Sequence, residues 1–320
     1  MVALKRLMAR AWVILVAAIP TTASAAWPER IITLVAPFPA GGNADAVARI
    51  LADGLQPILG QPIIVENRPG AGGMSGSSSV AKSRPDGYTF LLGALANVLN
   101  EHLYKQKPFD LRKDLAPVSQ VVSVPNYFAA TPGLGINTLA ELVARAKAKP
   151  GQLTCATSGA GTSGHIACEM FKRGADVNVL IVPYRGGAPA ITDVMAGHTD
   201  FLAVNEALPF IRDNRLKGLA ITSPDRSPLA PELPPAAETV RGFNLVSWYG
   251  VFAPAGTPPE IVAKVSAAIA ATLKSQQSRD RLTILGATPV ESSPKEFEDF
   301  LARESVRWET IIKEMKIALD

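Results

Sequence analysis

The sequence predicts an α/β protein with two sheets, each mainly parallel and flanked by helices. Apolar runs typical of buried strands alternate with helical patterns along the chain, which is the βαβ order of a parallel sheet. The runs form two series, so we expect two lobes. The first series lies at 31–35, 62–66 and 88–92, and the second, which begins near Tyr127, lies at 153–156, 179–182, 201–204 and 219–222.

The N-terminal segment predicts a secretory signal over residues 1–26. A basic stretch precedes a short apolar run, and small residues then lead to a cleavage site after Ala25 or Ala26. The apolar run has about half of the roughly 20 residues that a membrane-spanning helix needs, and the segment has no cysteine for a lipid anchor. We therefore expect a soluble protein that is exported to the periplasm and loses this segment.

The chain that remains after cleavage is close to neutral. Loss of Lys5, Arg6 and Arg10 with the signal lowers the formal net charge from +4 to about +1. No run of lysine and arginine remains to neutralise phosphates, so nucleic-acid binding has little support. The 320 residues less the signal still exceed the usual size of one domain, in agreement with two lobes.

The two cysteines, Cys155 and Cys168, leave two possibilities open. Cys155 ends a predicted strand and Cys168 lies on the next helix, so a disulfide would close the turn between them and contribute about 3 kcal/mol. Two buried free thiols are the alternative. The sequence has no CxxC pair and only three histidines, His102, His165 and His198, so neither a zinc site nor a thioredoxin-like site is indicated.

Three helix starts show the pattern of a capping box, in which a hydroxyl and a glutamate three residues later each satisfy a free backbone amide. They are Thr138 with Glu141, Thr257 with Glu260, and Ser293 with Glu296. After Thr257, apolar residues recur at helical spacing and predict one buried face, formed by Ile261, Val265, Ile269 and Leu273. These features indicate structure rather than chemistry.

Three glycine-rich segments, at 36–45, 67–73 and 158–165, each follow a short apolar run, and at least two of them open a helix. Glycine allows the backbone to approach a ligand closely, and the first amides of a helix, together with its dipole, favour an anion. The sequence therefore predicts a site for a small, negatively charged ligand.

Six sequence blocks in a fixed order resemble the extracytoplasmic solute receptors of tripartite tricarboxylate transporters, often called Bug receptors. The resemblance covers essentially the whole chain. The blocks are ProPheProAlaGlyGlyAsnAlaAsp (37–45), ValGluAsnArgProGlyAlaGlyGly (65–73), ProAspGlyTyrThrPheLeuLeuGly (85–93), GlyAlaGlyThrSerGlyHis (159–165), ValProTyrArgGlyGlyAlaPro (182–189) and AlaProAlaGlyThrProPro (253–259).

The resemblance implies a periplasmic-binding-protein fold of the Venus flytrap, type II-like kind. Residues 27–124 and 248–320 would form the first lobe, and residues 125–247 the second. A small carboxylate would be held between the lobes, without cofactor or metal, and delivered to a two-subunit membrane permease. The receptor would not be an enzyme. We also expect a monomer, because the sequence shows no dedicated assembly segment.

The resemblance also implies a set of ligand-binding residues that face each other across the cleft. Main-chain amides, loop hydroxyls and bridging waters would hold the carboxylate, with Thr162 and Ser163 as the best hydroxyl ligands. The expected residues are Phe38, Ala40, Gly41, Gly42, Asn43, Ala71, Gly72, Asn97, Ser158, Thr162, Ser163, Gly164, Tyr184 and Asn205.

Three other residues of the motifs have structural interpretations. Asp45 fits ordinary pairing with a helix dipole, Arg68 fits scaffold, and His165 fits a structural hydrogen bond better than proton transfer. Two departures from the family pattern bear on the ligand. Residues 94–97 lack the usual hydroxyls, and the loop after Phe201 is short. Both predict a less polar cleft and hence a ligand with an apolar or aromatic body.

Other functions have weaker support. Residues 159–164 read GxGxxG, as in a nicotinamide enzyme, but the next strand ends without an acidic residue for the ribose hydroxyls. A serine hydrolase lacks the GxSxG elbow. A receptor that signals to a sensor protein instead of a permease would have the same sequence features, so this alternative stays open.

Overall fold

The computed structural model describes residues 27–319, and the predicted signal peptide lies outside them. The strands are β1 (Ile32–Ala36), β2 (Ile63–Asn67), β3 (Thr89–Ala94), β4 (Leu115–Pro125), β5 (Tyr127–Ala130), β6 (Thr154–Thr157), β7 (Leu180–Pro183), β8 (Phe201–Val204), β9 (Lys217–Ile221), β10 (Val246–Pro254) and β11 (Thr288–Pro289).

Helices separate most of these strands. They are α1 (Asn43–Leu59), α2 (Met74–Ala81), α3 (Leu95–Leu103), α4 (Leu111–Asp114), α5 (Leu139–Ala148), α6 (Ser163–Gly174), α7 (Gly187–Met195), α8 (Leu208–Arg212), α9 (Pro259–Lys274), α10 (Gln276–Ile284) and α11 (Pro294–Met315). Among residues 27–319, no helix combines the length and apolarity needed to cross a membrane.

The strands form two sheets. The first sheet has the order β11-β4-β10-β3-β1-β2, and the second has the order β7-β6-β8-β5-β9. We call the parts of the chain around them lobe 1 and lobe 2. Every apolar run that predicted a strand coincides with one of these strands to within two residues at each end.

The sheets are mixed, whereas the sequence predicted mainly parallel ones. Strand β1 is parallel to β2 and β3, and β6 is parallel to β7 and β8. Strand β10 is antiparallel to β3 and β4, and β5 is antiparallel to β8 and β9. The physical reason lies in the connection between the lobes: the chain leaves lobe 1 along β4 and returns beside it along β10, so those two strands must run in opposite directions.

Hydrogen bonds hold the crossing point between the lobes together. The backbone N–H of Asn126 donates to Thr222 Oγ1 at 2.8 Å, and the N–H of Thr222 donates to the carbonyl of Asn126 at 3.0 Å. The side-chain carbonyl of Asn126 accepts from Ser163 Oγ at 3.2 Å, which ties the crossing to the first turn of α6. Asn126 is fully buried. The lobe boundaries at residues 124 and 247 remain a prediction.

One buried hydrophobic cluster contains aromatic side chains from both lobes. Phe128, Phe171 and Phe201 of lobe 2 belong to the same buried cluster as Trp248 and Phe297 of lobe 1. The long C-terminal helix α11 supplies Phe297 and Trp308, and it also places the carboxylate of Glu304 among these rings.

The structure contains the disulfide between Cys155 and Cys168. It links β6 to α6, and both cysteines are fully buried. Of the two possibilities that the sequence left open, the structure therefore has the bridged one.

Only one of the three predicted capping boxes is complete. Ser293 and Glu296 cap each other at the start of α11. Thr138 caps α5 as predicted, but the Glu141 carboxylate accepts from Asn137 rather than from Thr138.

The box at Thr257 is wrong, because its hydroxyl donates to the carbonyl of Pro254 at 2.8 Å and the helix begins two residues later at Pro259. The buried face predicted for that helix is confirmed at Ile261, Val265, Ile269 and Leu273.

Candidate functional site

Four helices from both lobes begin at one cavity between the lobes. Helices α1 and α3 come from lobe 1, and helices α6 and α7 come from lobe 2. The lining residues lie within 38–44, 94–96, 158–163, 186–189 and 205–206, and Ser247 and Tyr249 of β10 complete the wall. The space open to a water-sized molecule is about 70 Å³, so the cavity suits a small ligand.

The helix starts make the cavity attractive to an anion. Gly42 precedes α1 and Gly186 precedes α7, and as glycines they do not cap their helices with a side chain. Unsatisfied amides at a helix N-terminus carry partial positive charge that the dipole reinforces. A carboxylate at these two starts meets N–H donors from both lobes, and the side chain of Glu206 lies against both of them.

The two hydroxyls predicted as ligand contacts are present at the cavity but already form hydrogen bonds. Thr162 Oγ1 donates to the carbonyl of Gly159 at 2.7 Å and accepts from the N–H of His165, so it caps α6. Ser163 Oγ donates to Asn126 Oδ1 at 3.2 Å. Both hydroxyl hydrogens are therefore already donated, although each oxygen can still accept. Backbone amides are left as the main donors on this wall. Ser158 also lines the cavity.

A chain of three polar side chains crosses between the lobes beside the cavity. Asn43 Nδ2 of lobe 1 donates to the carbonyl of Asn205 in lobe 2 at 3.0 Å. Asn205 Nδ2 in turn donates to Tyr249 Oη of lobe 1 at 3.2 Å. All three residues are buried. The lobes are therefore in contact at the cleft, and Asn205 bridges them.

Glu206 is the one residue with a charged side chain among those that line the cavity. Its Oε2 oxygen is shielded from solvent and has no hydrogen-bond partner among the described residues. Burial raises the pKa of its carboxyl above the usual range, and the backbone N–H groups of Glu206 and Asn43 oppose that rise only in part. Burial, reinforced by the Glu206 carboxylate, also raises the pKa of the neighbouring Tyr249 hydroxyl.

An adjoining groove, which we call the outer groove, shares lining residues with the cavity. It shares Phe38, Ser158 and Thr162 with the cavity and adds the predicted residues Ala71, Gly72 and Tyr184. The Tyr184 hydroxyl donates to Asp193 Oδ2 at 2.6 Å, and this hydrogen bond restrains the tyrosine side chain. Ala71, Gly72 and Tyr184 therefore line the outer groove and not the cavity itself.

Four of the predicted residues do not line either space. Gly41 donates its N–H to Asp45 Oδ2 at 3.0 Å in a turn with φ of +85°. The side chain of Asn97 is buried between the N–H of Ala94 and the hydroxyl of Ser77. A Cβ at Gly164 would lie 2.3 Å from the carbonyl oxygen of Ala203, so this glycine allows α6 to pack on β8. The side chain of Asn43 contacts the backbone of Asn205, which itself lines the cavity.

The structural interpretations of the other motif residues agree with their contacts. Asp45 pairs with Arg49 one helical turn later, and Arg68 pairs with Glu66 and donates to Ser79. The imidazole of His165 is buried, its Nδ1 has no hydrogen-bond partner in the described part of the chain, and burial lowers its pKa. The predicted structural hydrogen bond of His165 is thus made by its backbone and not by its ring.

Sequence reasoning missed several residues of the wall. Gly186 and Gly187 follow β7 and open α7, in the same way that Gly41 and Gly42 precede α1, so the repeated GlyGly pair was a signal that could have found them. Glu206 stands in a short polar segment whose sequence resembles any solvated loop. Ser247 and Tyr249 are placed by the sheet, and no local motif marks them. Ala94 and Ala96 lie in the stretch 94–97 that the sequence placed at the cleft, but they were not among the predicted contacts.

Between residues 27 and 319, no group of three or more His, Cys, Asp or Glu side chains could hold a metal ion. The arrangement of amides and hydroxyls suits non-covalent binding of an anion. The segment 159–164, which reads GxGxxG, serves here as the turn before α6.

Known proteins are similar to this chain in sequence and architecture. The family model described as the tripartite tricarboxylate transporter family receptor matches residues 47–317. The solved structure of the periplasmic binding protein BugD is 32% identical, covers 91% of this chain and 99% of its own, and superimposes with a TM-score of 0.87. The predicted resemblance and the two-lobed periplasmic-binding-protein fold are both confirmed.

Two further solved structures contain carboxylates. Rpa4515 of R. palustris with adipate is 35% identical, covers 91% of this chain and 99% of its own, and has a TM-score of 0.87. MatC from Rhodopseudomonas palustris with bound malate is 32% identical, covers 89% of this chain and 99% of its own, and has a TM-score of 0.84.

Proposed function

The chain belongs to the tripartite tricarboxylate transporter receptor family, and on that premise we propose that it captures a small carboxylate between its lobes and delivers it to a two-subunit membrane permease. The observation that carries the proposal is the convergence of four helix N-termini on one small interlobe cavity. Relatives with adipate and with malate support the ligand class.

The ligand would be held by main-chain amides rather than by a basic side chain. No lysine or arginine belongs to the cavity lining, and arginine enters only at the outer groove, as Arg185. Charge-assisted hydrogen bonds from several N–H groups can compensate the desolvation of a carboxylate. From the predicted set we retain Phe38, Ala40, Gly42, Ser158, Thr162, Ser163 and Asn205 as contacts in the cavity, and Ala71, Gly72 and Tyr184 in the outer groove.

We propose an apolar body for the ligand. Apart from the amides, a few hydroxyls and the carboxylate of Glu206, the wall is apolar. It is formed by Phe38, Pro39, Pro189 and alanines 40, 44, 94, 96 and 188. A chain of methylene groups can lie against such a wall without leaving polar groups unsatisfied. The alanines at 94 and 96 correspond to the stretch in which the sequence lacked the usual hydroxyls.

We further propose that the protein works as a monomer in the periplasm after residues 1–26 are removed, and that it performs binding without catalysis. The description of the relative BugD as a periplasmic binding protein supports the location. Binding would hold the lobes closed through contacts such as Asn43 with Asn205, and the permease would distinguish the closed receptor from the open one.

The ligand class is tested on the protein from Trp27 onward, by calorimetry against mono-, di- and tricarboxylates and neutral analogues. Ser158→Asp places a carboxylate among the helix starts and is expected to weaken carboxylate binding by at least about 100-fold. The matched variant Ser158→Asn has nearly the same shape without the charge and should lose less than about tenfold. Binding of neutral analogues in preference to carboxylates, or equal effects of the two substitutions, would count against the proposal.

Delivery to a permease is tested in cells that lack the gene. Uptake of the labelled ligand should fall to background and return when the wild-type receptor is supplied, but not when Ser158→Asp is supplied. Unchanged uptake, combined with loss of a transcriptional response to the ligand, would instead assign the receptor to a sensor.

A further inference from the structure

Glu206 occupies one of the anion-binding ends of the cleft with the protein's own carboxylate. It follows β8, and its Oε1 lies against the start of α1, where a Cβ on Gly42 would be 3.4 Å away. The carboxylate also lies against the start of α7, where a Cβ on Gly187 would be 2.5 Å from its carboxylate carbon. Two of the four helix N-termini thus already face a negative charge.

Nothing in the described part of the chain completes the hydrogen bonding of this carboxylate. Its Oε2 is shielded and has no partner. The neighbouring amide of Asn205 donates to Tyr249, and the amide of Asn43 donates to the backbone of Asn205, and neither amide donates to Oε2. No lysine, arginine or histidine lines the cavity beside it. A shielded acceptor without a donor is costly unless a ligand supplies one.

Glu206 is the one carboxylate among the lining residues, and its recorded contacts are with the starts of α1 and α7. The starts of α3 and α6 also face the cavity, together with Ser158 and Ser163. These two helix starts offer donors, so the carboxylate of a ligand is expected to lie at them.

We infer that Glu206 determines the specificity of the cleft: it excludes a second ligand carboxylate and selects a monocarboxylate that carries a cationic hydrogen-bond donor, such as an ammonium group, at its other end. The inference deepens the proposed function and rests on it. A dicarboxylate would bring a second negative charge against Glu206, whereas an ammonium group would give Oε2 the donor that the protein withholds. The raised pKa of the Glu206 carboxyl agrees with a site that lacks its counter-charge.

The test compares ligands of matched length with the protein from Trp27 onward, by calorimetry at pH 7. Series of two to six carbons would be used, each containing the simple monocarboxylate, the amino monocarboxylates and the dicarboxylate. In the wild-type protein, the best amino monocarboxylate should bind at least about tenfold more tightly than both the monocarboxylate and the dicarboxylate of the same length.

Glu206→Gln keeps the shape of the side chain and removes its charge. It should weaken amino-monocarboxylate binding at least about tenfold and strengthen dicarboxylate binding by a similar factor. Glu232→Gln, at an exposed position of lobe 2, is the matched control and should change neither. Melting curves of both variants would establish that they fold.

The inference is overturned if the wild-type protein prefers a dicarboxylate, or if Glu206→Gln leaves the order of affinities unchanged; carboxylate capture would stand in either case. If no carboxylate of any series binds, the proposed function fails together with the inference. A ligand-bound structure in which Glu206 faces a ligand nitrogen would support it directly.

Discussion

Glu206 and Glu304 are two glutamates with shielded carboxylates, and their surroundings are opposite. At the back of the molecule, Glu304 Oε2 accepts from the indole N–H groups of Trp308 at 3.0 Å and Trp248 at 3.4 Å, and its Oε1 accepts from Arg307 at 3.2 Å. At the front, Glu206 Oε2 has no partner among the described residues.

The difference separates a structural group from a binding group. A shielded carboxylate whose acceptors are all used fixes its neighbours in place and has nothing left to offer a ligand. A shielded carboxylate with a free oxygen destabilises the protein on its own and gains its partner only on binding. The same residue type therefore fastens α11 to lobe 1 in one region and selects the ligand in the other.

The largest expected effect is on Glu304. Glu304→Ala leaves two buried indole N–H groups without an acceptor and should lower the free energy of unfolding by about 3 kcal/mol. Urea denaturation measures this change. Glu304→Gln retains an acceptor and should cost about 1 kcal/mol. Ligand affinity should be unchanged in both, and an affinity loss without a stability loss would break the comparison.

Gly187→Ala should have an intermediate effect that passes through Glu206. The added methyl would lie 2.5–2.7 Å from the three carboxylate atoms of Glu206, so the side chain must move. We expect a cost of about 1–2 kcal/mol in the wild-type background, by analogy with other overpacked sites. In a Glu206→Ala background most of that cost should disappear, which a double-mutant cycle by urea denaturation would measure. Equal costs in both backgrounds would place the strain elsewhere.

The smallest effect is a pH dependence of stability that belongs to Glu206. Its folded-state pKa is raised by burial above the usual 4.5, so its contribution to stability is fully present below about pH 4.5 and is lost as the pH rises through the folded-state pKa. The unfolding free energy of the wild-type protein, minus that of Glu206→Gln, should therefore decrease as the pH rises from 4 to 8. A flat or rising difference would mean that the Glu206 carboxylate is either exposed to solvent or already paired with a donor.

Much of the architecture could be predicted because it is written in local patterns. Runs such as Phe201–Val204 have the length and apolarity of buried strands, and the GlyGly pair before Asn43 predicts a helix start facing a ligand. Strands β4 and β10 were not predicted. Leu115–Pro125 pairs with a segment far along the chain, and nothing in the local sequence of either strand indicates its partner.

The residues of the site were harder to predict wherever their role depends on a distant neighbour. Asn97 has the residue type of a ligand contact, but Ser77, twenty positions away, takes its amide. Glu206 looks like a surface residue until the starts of α1 and α7 are brought against it. Sequence patterns report which backbone ends will face the cleft, and only the assembled lobes decide which side chains remain free there.

The disulfide has a consequence for how the receptor matures. The turn at 158–164, which supplies the lobe 2 wall, lies inside the loop closed by Cys155 and Cys168. A covalent loop of this size stabilises a fold by about 3 kcal/mol and forms in oxidising compartments. Protein held in a reducing compartment should therefore keep a looser lobe 2 wall and bind its ligand poorly, so the proposed export to the periplasm would be the step that lets this wall form.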